Sequence, residues 1–486
     1  MKLSEENRST GAPPVAYDIT VRQSDKIKKV YRTVEILSDI GAESLIGRGT
    51  RVWKVQELDD NGERFGPFYA LKDVWVHDDR PMEHDTLAEI KKQQPSYERH
   101  FLTVLCAGFA TVKIGDSSQP DNTKGTIRRG HDFSLTNQVL RPRAAITENQ
   151  DNSRKRKAPS TSGTAYEFIQ YTPTARREDR WNHGYLSRTS RQHYRIVFKE
   201  VGVPVHRLQN YQDIITAITG GSEGLYAIHL TNQIHRDISS GNIMLVQEDG
   251  QEARGVIIDL EYIQRLDSAI DSHGTKKGTY EFIAVEVAAE EYLSEAEPEE
   301  SLDTQTTPRI VRPFRQNPLH DLESVWWLCI WVLFRTVRAD EHPTNRYLHN
   351  YLKAFGSQGD RYVFWNNGPL FKRYTAHFSE PVFSRAMRYW CNKLKEVYEE
   401  SYMENEFVEI PISFLHKARS AQREALDALS EVTKNYHSEL RNLWELMPLP
   451  DTPETQSENG NNDSGSKLRA PEGPELKKQR NANNVD

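Results

Sequence analysis

Residues 235–242 read His-Arg-Asp-Ile-Ser-Ser-Gly-Asn, which sets a carboxylate at Asp237 and an amide at Asn242, five positions later. The chemistry such a pair suits is phosphoryl transfer. That reaction asks for a cover over the phosphates, a cation on them, oxygen donors for a divalent metal, and a carboxylate near the acceptor hydroxyl. Asp237 is the natural carboxylate for the acceptor, and Asn242 can turn its amide oxygen to Mg2+ across a loop that Ser239, Ser240 and Gly241 keep short. Seventeen residues after Asn242, the β-branched run Val256-Ile257-Ile258 ends at Asp259, whose hard oxygens suit a phosphate-bound Mg2+. A lone His-Arg-Asp arises often by chance, and an isolated Asp237 would read as a solvated turn residue; the ordered context gives it chemical meaning.

The cation and the cover lie upstream. Lys72, in Tyr69-Ala70-Leu71-Lys72, stands in an apolar strand-like run. An ammonium is costly there unless a phosphate or carboxylate pairs with it, the alternative being a lysine snorkelling from a sheet edge. Glu83 is the preferred carboxylate and Glu89 the second choice. Gly47-Arg48-Gly49-Thr50 falls between two strand-like runs, where Gly47 and Gly49 would let backbone amides approach phosphate oxygens; an ordinary hairpin turn competes with that reading.

The elements that must position these groups are legible in outline. Residues 25–40 look helical and read as part of an N-terminal extension. From Glu43 the pattern turns to β, with two antiparallel strands joined by a loop containing Asn61-Gly62, then a helix opening near Pro81 with Glu83, Leu87 and Ile90 on one face. Residues 115–190 are rich in polar residues, Pro, Gly and Ser and read as a mobile insertion. An amphipathic run from Tyr211 to Leu230 leads into the His-Arg-Asp loop, residues 290–316 read as an acidic loop, and Asp321 to Phe334 is apolar enough to be a buried helix. Trp326, Trp327 and Trp331 on that helix read as core. The chain beyond residue 450 reads as a disordered tail.

Composition sets the outer limits. A chain of 486 residues suits a two-lobed core of about 250 to 350 residues plus insertions. A net charge of −7 supplies no broad basic field, so neither nucleic acid nor an anionic membrane is the expected partner. Cys106, Cys329 and Cys391 are far apart and form no CxxC pair, which argues against both a disulfide framework and a zinc site. The N-terminus lacks an apolar signal core and no apolar run spans a bilayer, so a soluble, intracellular chain is expected, cytoplasmic or nuclear. The Arg154-Lys155-Arg156-Lys157 run reads as a solvated patch, with nuclear import as the sharper alternative.

Taken in order, the motifs resemble eukaryotic-type protein kinases and, more closely, the fungal-type protein kinases. The stretches that carry the resemblance are GRGT 47–50, LKDVW 71–75, RIVFKEVG 195–202, HRDISSGNIM 235–244, GTYEF 278–282 and HDLES 320–324, across roughly residues 40 to 400. The resemblance implies an α+β, two-lobed fold: a small, mainly β N-lobe over 41–202 with a disordered insertion about 115–190, and a larger, mainly α C-lobe over 203–449. An extension at 1–40 and a tail at 450–486 would flank it. It implies ATP and Mg2+ as cofactors and a protein hydroxyl, Ser or Thr, as acceptor. Asp237, Lys72, Arg236 and Asn242 would form the catalytic set, with Gly47, Gly49, Val52, Glu83, Glu200 and Asp259 completing the nucleotide site and Asn242 and Asp259 holding the metal. Asp321 would anchor the catalytic loop, Phe198 to Val201 would line the adenine hinge, and Glu286 would be a buried ion-pair partner closing the activation segment. Arg236 would be placed to meet a phosphorylated Ser268, Ser272, Thr275 or Thr279.

The sequence also departs from that pattern. A third loop glycine is missing, with Val52 or Trp53 near its place, Asp259-Leu260-Glu261 replaces D-F-G, and Ser239 stands where Ser/Thr kinases usually carry a phosphate-contacting lysine. Two other readings stay open: a small-molecule phosphotransferase of the aminoglycoside or choline kinase type, which shares the Asp–Asn spacing, and a pseudokinase. The GTYEFIAVE segment argues against the first, and the retained Lys72, Asp237, Asn242 and Asp259 against the second.

Overall fold

The structure, a computed structural model, describes residues 2–3, 16–23, 27–39, 48–115, 117–126, 190–267, 278–294, 314–378, 380–404, 410–434, 436 and 439–447. Gly47, Ser268, Ser272, Thr275, the 154–157 basic run, most of the 115–190 insertion, most of the 290–316 loop and the tail from 450 lie outside the described residues.

Alternation of period two builds the first lobe. Its strands are β1 (Lys2–Leu3), β2 (Tyr17–Arg22), β3 (Lys28–Asp39), β4 (Arg51–Leu58), β5 (Arg64–His77), β6 (Val104–Phe109), β7 (Thr111–Ile114), β8 (Ser117–Pro120) and β9 (Arg191–Phe198). Seven of them form one sheet in the order β1-β2-β3-β4-β5-β9-β6, every pair antiparallel, while β7 and β8 make a separate hairpin. On β5, Ala70, Val74 and Val76 face the main core, and Leu71 faces a second core with Ile19, Val21, Tyr31, Trp53, Val55, Cys106 and Val197. Lys72 shares the parity of Ala70 and Val74, so its side chain issues from the face that looks toward the rest of the molecule.

The helical reading of residues 25–40 is overturned. Residues 28–39 form β3, paired with β2 on one side and β4 on the other, so the sheet begins well before residue 41. The stretch carries Val30, Thr33, Val34 and Ile36, whose branching suits a pleated surface, and sheet pairing outweighs its helical spacing. Pro81 also falls outside its helix: α1 runs Glu83–Gln93 with Met82 in extended conformation before it.

Below the sheet the chain is mainly helical. The helix Tyr211–Leu230 is capped by Asn210, whose side chain accepts from Asp213 N at 2.8 Å. It lies so close to the strand Arg254–Ile257 that a Cβ on Gly255 would collide with the backbone carbonyls of Thr216 and Ala217. That contact fixes the depth of the strand leading to Asp259. The helix Pro318–Arg335 is buried from Pro318 to Phe334 and forms the centre of this lobe, with Trp326 and Trp327 fully enclosed and packed on Trp365, Phe364 and Phe371. Trp326 and Trp327 spend their indole N–H groups on Met387 O and Glu323 Oε1, which makes their burial affordable. The result is a two-lobed α+β fold. No helix among the described residues is long and apolar enough to cross a membrane.

Candidate active site

The catalytic-loop candidates are held by one buried carboxylate. Asp321, in the first turn of the helix Pro318–Arg335, accepts from His235 N at 2.8 Å and Arg236 N at 2.9 Å, and meets His229 Nε2 at 3.0 Å. Burial alone would raise its pKa, but the hydrogen bond and charge of His229, with His235, hold it below the usual carboxylate range. These bonds stabilise Arg236 at φ 71°, a left-handed conformation that costs a non-glycine residue about 1 to 2 kcal/mol. His235 Nε2 donates to Ile258 O at 3.0 Å, which leaves Nδ1 to accept from Asp237 N at 3.3 Å.

Asp237 is thereby set at the mouth of a short loop. Asn242 Nδ2 donates to Asp237 O at 2.8 Å, Thr279 Oγ1 donates to Asp237 Oδ1 at 3.1 Å, and Ile258 N donates to Asn242 O at 3.0 Å. Burial and the neighbouring charge of Asp259 push the Asp237 carboxyl above its ordinary range. Ser239 uses its hydroxyl locally, accepting from Gly241 N at 3.3 Å.

Opposite, Lys72 is buried at 7% exposure and solves the cost of its position with two carboxylates: Glu83 Oε2 and Asp259 Oδ1 each lie 2.7 Å from its Nζ. Their charges outweigh burial and raise the pKa of the ammonium. Asp259 has a left-handed backbone, φ 65°, and its carboxyl is held well below the usual range against burial by Lys72 and Arg48. Glu83, not Glu89, therefore meets Lys72. Glu89 sits six residues further along α1 on an exposed face, with Arg265 at 3.5 Å and Gln93 at 3.0 Å.

The remaining candidates divide. Gly49 has φ 50°, the conformation that glycine adopts most readily, and Val52 is the register partner of Lys72, so both side chains stand on one sheet face. The Glu200 side chain turns elsewhere: it accepts from Thr103 N and Thr103 Oγ1, both at 2.8 Å, and pairs with Arg254 at 2.9 Å. It fastens the segment after β9 rather than facing the Lys72 cluster. Arg236 Nε donates to Gln316 Oε1 at 2.7 Å.

Arg48, Glu323 and Arg361 carried no assigned role in the sequence, whereas Glu286 is the buried ion-pair partner expected there. Arg48, between the two loop glycines, pairs with Asp259 at 3.5 Å and Glu261 at 3.3 Å and lies over the Tyr262 ring. Glu323 accepts from Val285 N and Tyr398 Oη, and Glu286 binds His320 Nε2 at 3.0 Å and Tyr402 Oη at 2.5 Å. Arg361 donates to the carbonyls of Tyr280 and Ile283. The signal available for the helix was its charged run His320, Asp321 and Glu323 inside an otherwise apolar segment; buried charges there need partners.

The donor set fits a divalent cation. Asp259 offers hard carboxylate oxygens, and Asn242, with Nδ2 spent on the Asp237 carbonyl, leaves Oδ1 for metal. No group of three or more His, Cys, Asp or Glu residues that could hold a metal occurs among the described residues; a metal held here would take an amide oxygen from Asn242 and a carboxylate oxygen from Asp259.

Residues 14–333 match the sequence profile of the family described as fungal protein kinase. No curated protein matches the chain in sequence. Among solved structures, one titled "Structure of vaccinia related kinase 3" aligns with 86% of this chain and 93% of its own at 10% identity and a TM-score of 0.38, a likeness too slight to argue from.

Proposed function

The chain belongs to the fungal protein kinase family, and on that premise we propose that it transfers the γ-phosphate of ATP, with Mg2+, to a Ser or Thr hydroxyl of a protein. The observation that carries this reading is the set of contacts around two carboxylates: Asp259 tied to Lys72, and Asp237 tied to Asn242 and to an aliphatic hydroxyl, that of Thr279.

Mg2+, when bound, neutralises charge on the phosphates. Lys72 supplies a fixed positive charge for phosphate oxygens, and Glu83 keeps it aimed. Asn242 and Asp259 are the residues that would hold the metal. Asp237 accepts the proton of the acceptor hydroxyl, which its present bond from Thr279 mimics in type and direction.

A protein acceptor is supported by the segment beside Asp237. Arg361 holds the carbonyls of Tyr280 and Ile283, and Glu323 holds Val285 N, so residues 279–285 form a firm ledge next to the base. A ledge of fixed backbone suits an extended peptide more than a small alcohol. Nothing in the charge balance favours nucleic acid or a membrane as partner.

The test is incubation of the purified chain with γ-labelled ATP, Mg2+ and a degenerate peptide library, followed by phosphoamino-acid analysis. Label on Ser or Thr is expected. Label confined to Tyr, or to small alcohols supplied in competition, would remove the acceptor assignment, and nucleotide binding without any transfer would favour a pseudokinase.

A further inference from the structure

Arg48 stands at an unusual point. Its carbonyl accepts from Trp75 N at 3.0 Å, which pins its backbone to β5, while its guanidinium extends to the two acidic residues of Asp259-Leu260-Glu261. Asp259 is thus shared: Lys72 holds Oδ1 at 2.7 Å and Arg48 faces Oδ2 at 3.5 Å. Whatever anion Lys72 receives therefore lies within reach of the Arg48 fork.

The two cations are not held equally well. Lys72 makes short contacts, whereas Arg48 Nη1 and Glu261 Oε2 are 3.3 Å apart without hydrogen-bond geometry, and each is a buried atom with no hydrogen-bond partner. A buried donor left unmade is unfavourable, and a fork of five N–H groups gains most from a phosphate it can grip at two points. The arrangement is a guanidinium stored on loose carboxylate contacts at the place where phosphates would arrive.

We propose that Arg48 is a phosphate-contacting residue of the nucleotide site, parked on Asp259 and Glu261 and exchanging them for phosphate oxygens when Mg-nucleotide binds. This deepens the nucleotide-binding reading above and rests on it. The exchange leaves Asp259 to the metal and gives the loop a side-chain contact in place of the third glycine it lacks. Glu261 is then a competitor for the guanidinium, a positioning residue rather than a ligand.

The test is equilibrium binding of Mg-ATP and, separately, of adenosine to the full chain and to Arg48→Ala and Glu261→Gln, with thermal melts to check folding. Arg48→Ala is expected to weaken Mg-ATP binding roughly tenfold or more, the loss of one charge-assisted contact, and to leave adenosine binding unchanged. Glu261→Gln, which removes the competitor, is expected to tighten Mg-ATP binding, and it decides the matter if Arg48→Ala does not fold. Mg-ATP binding unchanged or tighter in Arg48→Ala, or unchanged or weaker in Glu261→Gln, overturns the proposal while the nucleotide site itself stands. A wild-type chain that binds neither ligand overturns both.

Discussion

Lys72 and Glu83 meet at 2.7 Å across the gap between β5 and α1, and the same ammonium reaches Asp259 at 2.7 Å. One buried charge thus fastens a strand, a helix and the segment that carries a metal-ligand candidate. Replacing Lys72 with Met should lower phosphate transfer by about 100-fold to 1,000-fold, as expected when a preorganised charge is removed. It should also destabilise the chain, by about 3 kcal/mol, because two buried carboxylates are left facing each other. Glu83→Gln should be milder in both respects, since an amide oxygen still accepts from the ammonium. Initial rates and urea midpoints on the three proteins check this; equal losses in the two variants would contradict it.

Asp321 carries a prediction about architecture. It serves two backbone N–H groups and one imidazole, and it holds Arg236 in a strained conformation. In Asp321→Asn one oxygen is replaced by a donor that would face other donors, so the loop loses at least one bond and gains a repulsion. The expected cost is about 2 to 4 kcal/mol, with loss of transfer. A variant that unfolds at the wild-type urea concentration would show that the loop is held by something else.

A third prediction concerns pH and lies away from the site. His377 packs among Phe334, Tyr347 and Phe378, and burial, with a smaller push from Arg346, lowers its pKa from 6.5 to about 4. Between those values the unfolded chain binds the proton and the folded chain does not, so stability falls as pH drops from about 6.5 toward 4. The slope from this one group is at most about 1.4 kcal/mol per pH unit. In His377→Gln, which keeps an acceptor for Asn350 Nδ2, the melting temperature should fall less steeply over that range than in wild type. Identical slopes would remove the assignment.

The sequence was most legible where local pattern and tertiary role coincide. The helix Tyr211–Leu230 has its bounds where the amphipathic run does, and the β-branched run before Asp259 is a strand, because burial of those faces was already encoded in their spacing. Asp321 reaches the backbone of Arg236, and Asn242 reaches Asp237, because their motifs stand at the ends of such elements. Residues 28–39 misled because their helical spacing is local, while their pairing partners, β2 and β4, lie elsewhere in the chain. Arg48 and Glu200 illustrate a different limit. Each is a charged residue in a recognisable motif, yet whether it faces the cleft or fastens the scaffold depends on distant partners, Glu261 for one and Arg254 for the other.

We propose that Asp237 serves the acceptor hydroxyl in a phosphate transfer. The most direct test is the initial rate of transfer from Mg-ATP to the peptide acceptors, measured side by side with nucleotide affinity for wild type and Asp237→Asn. The predicted result is a fall of about 100-fold to 10,000-fold in rate, the range for loss of a general base, with nucleotide still bound. Equal rates from the two proteins would contradict the account.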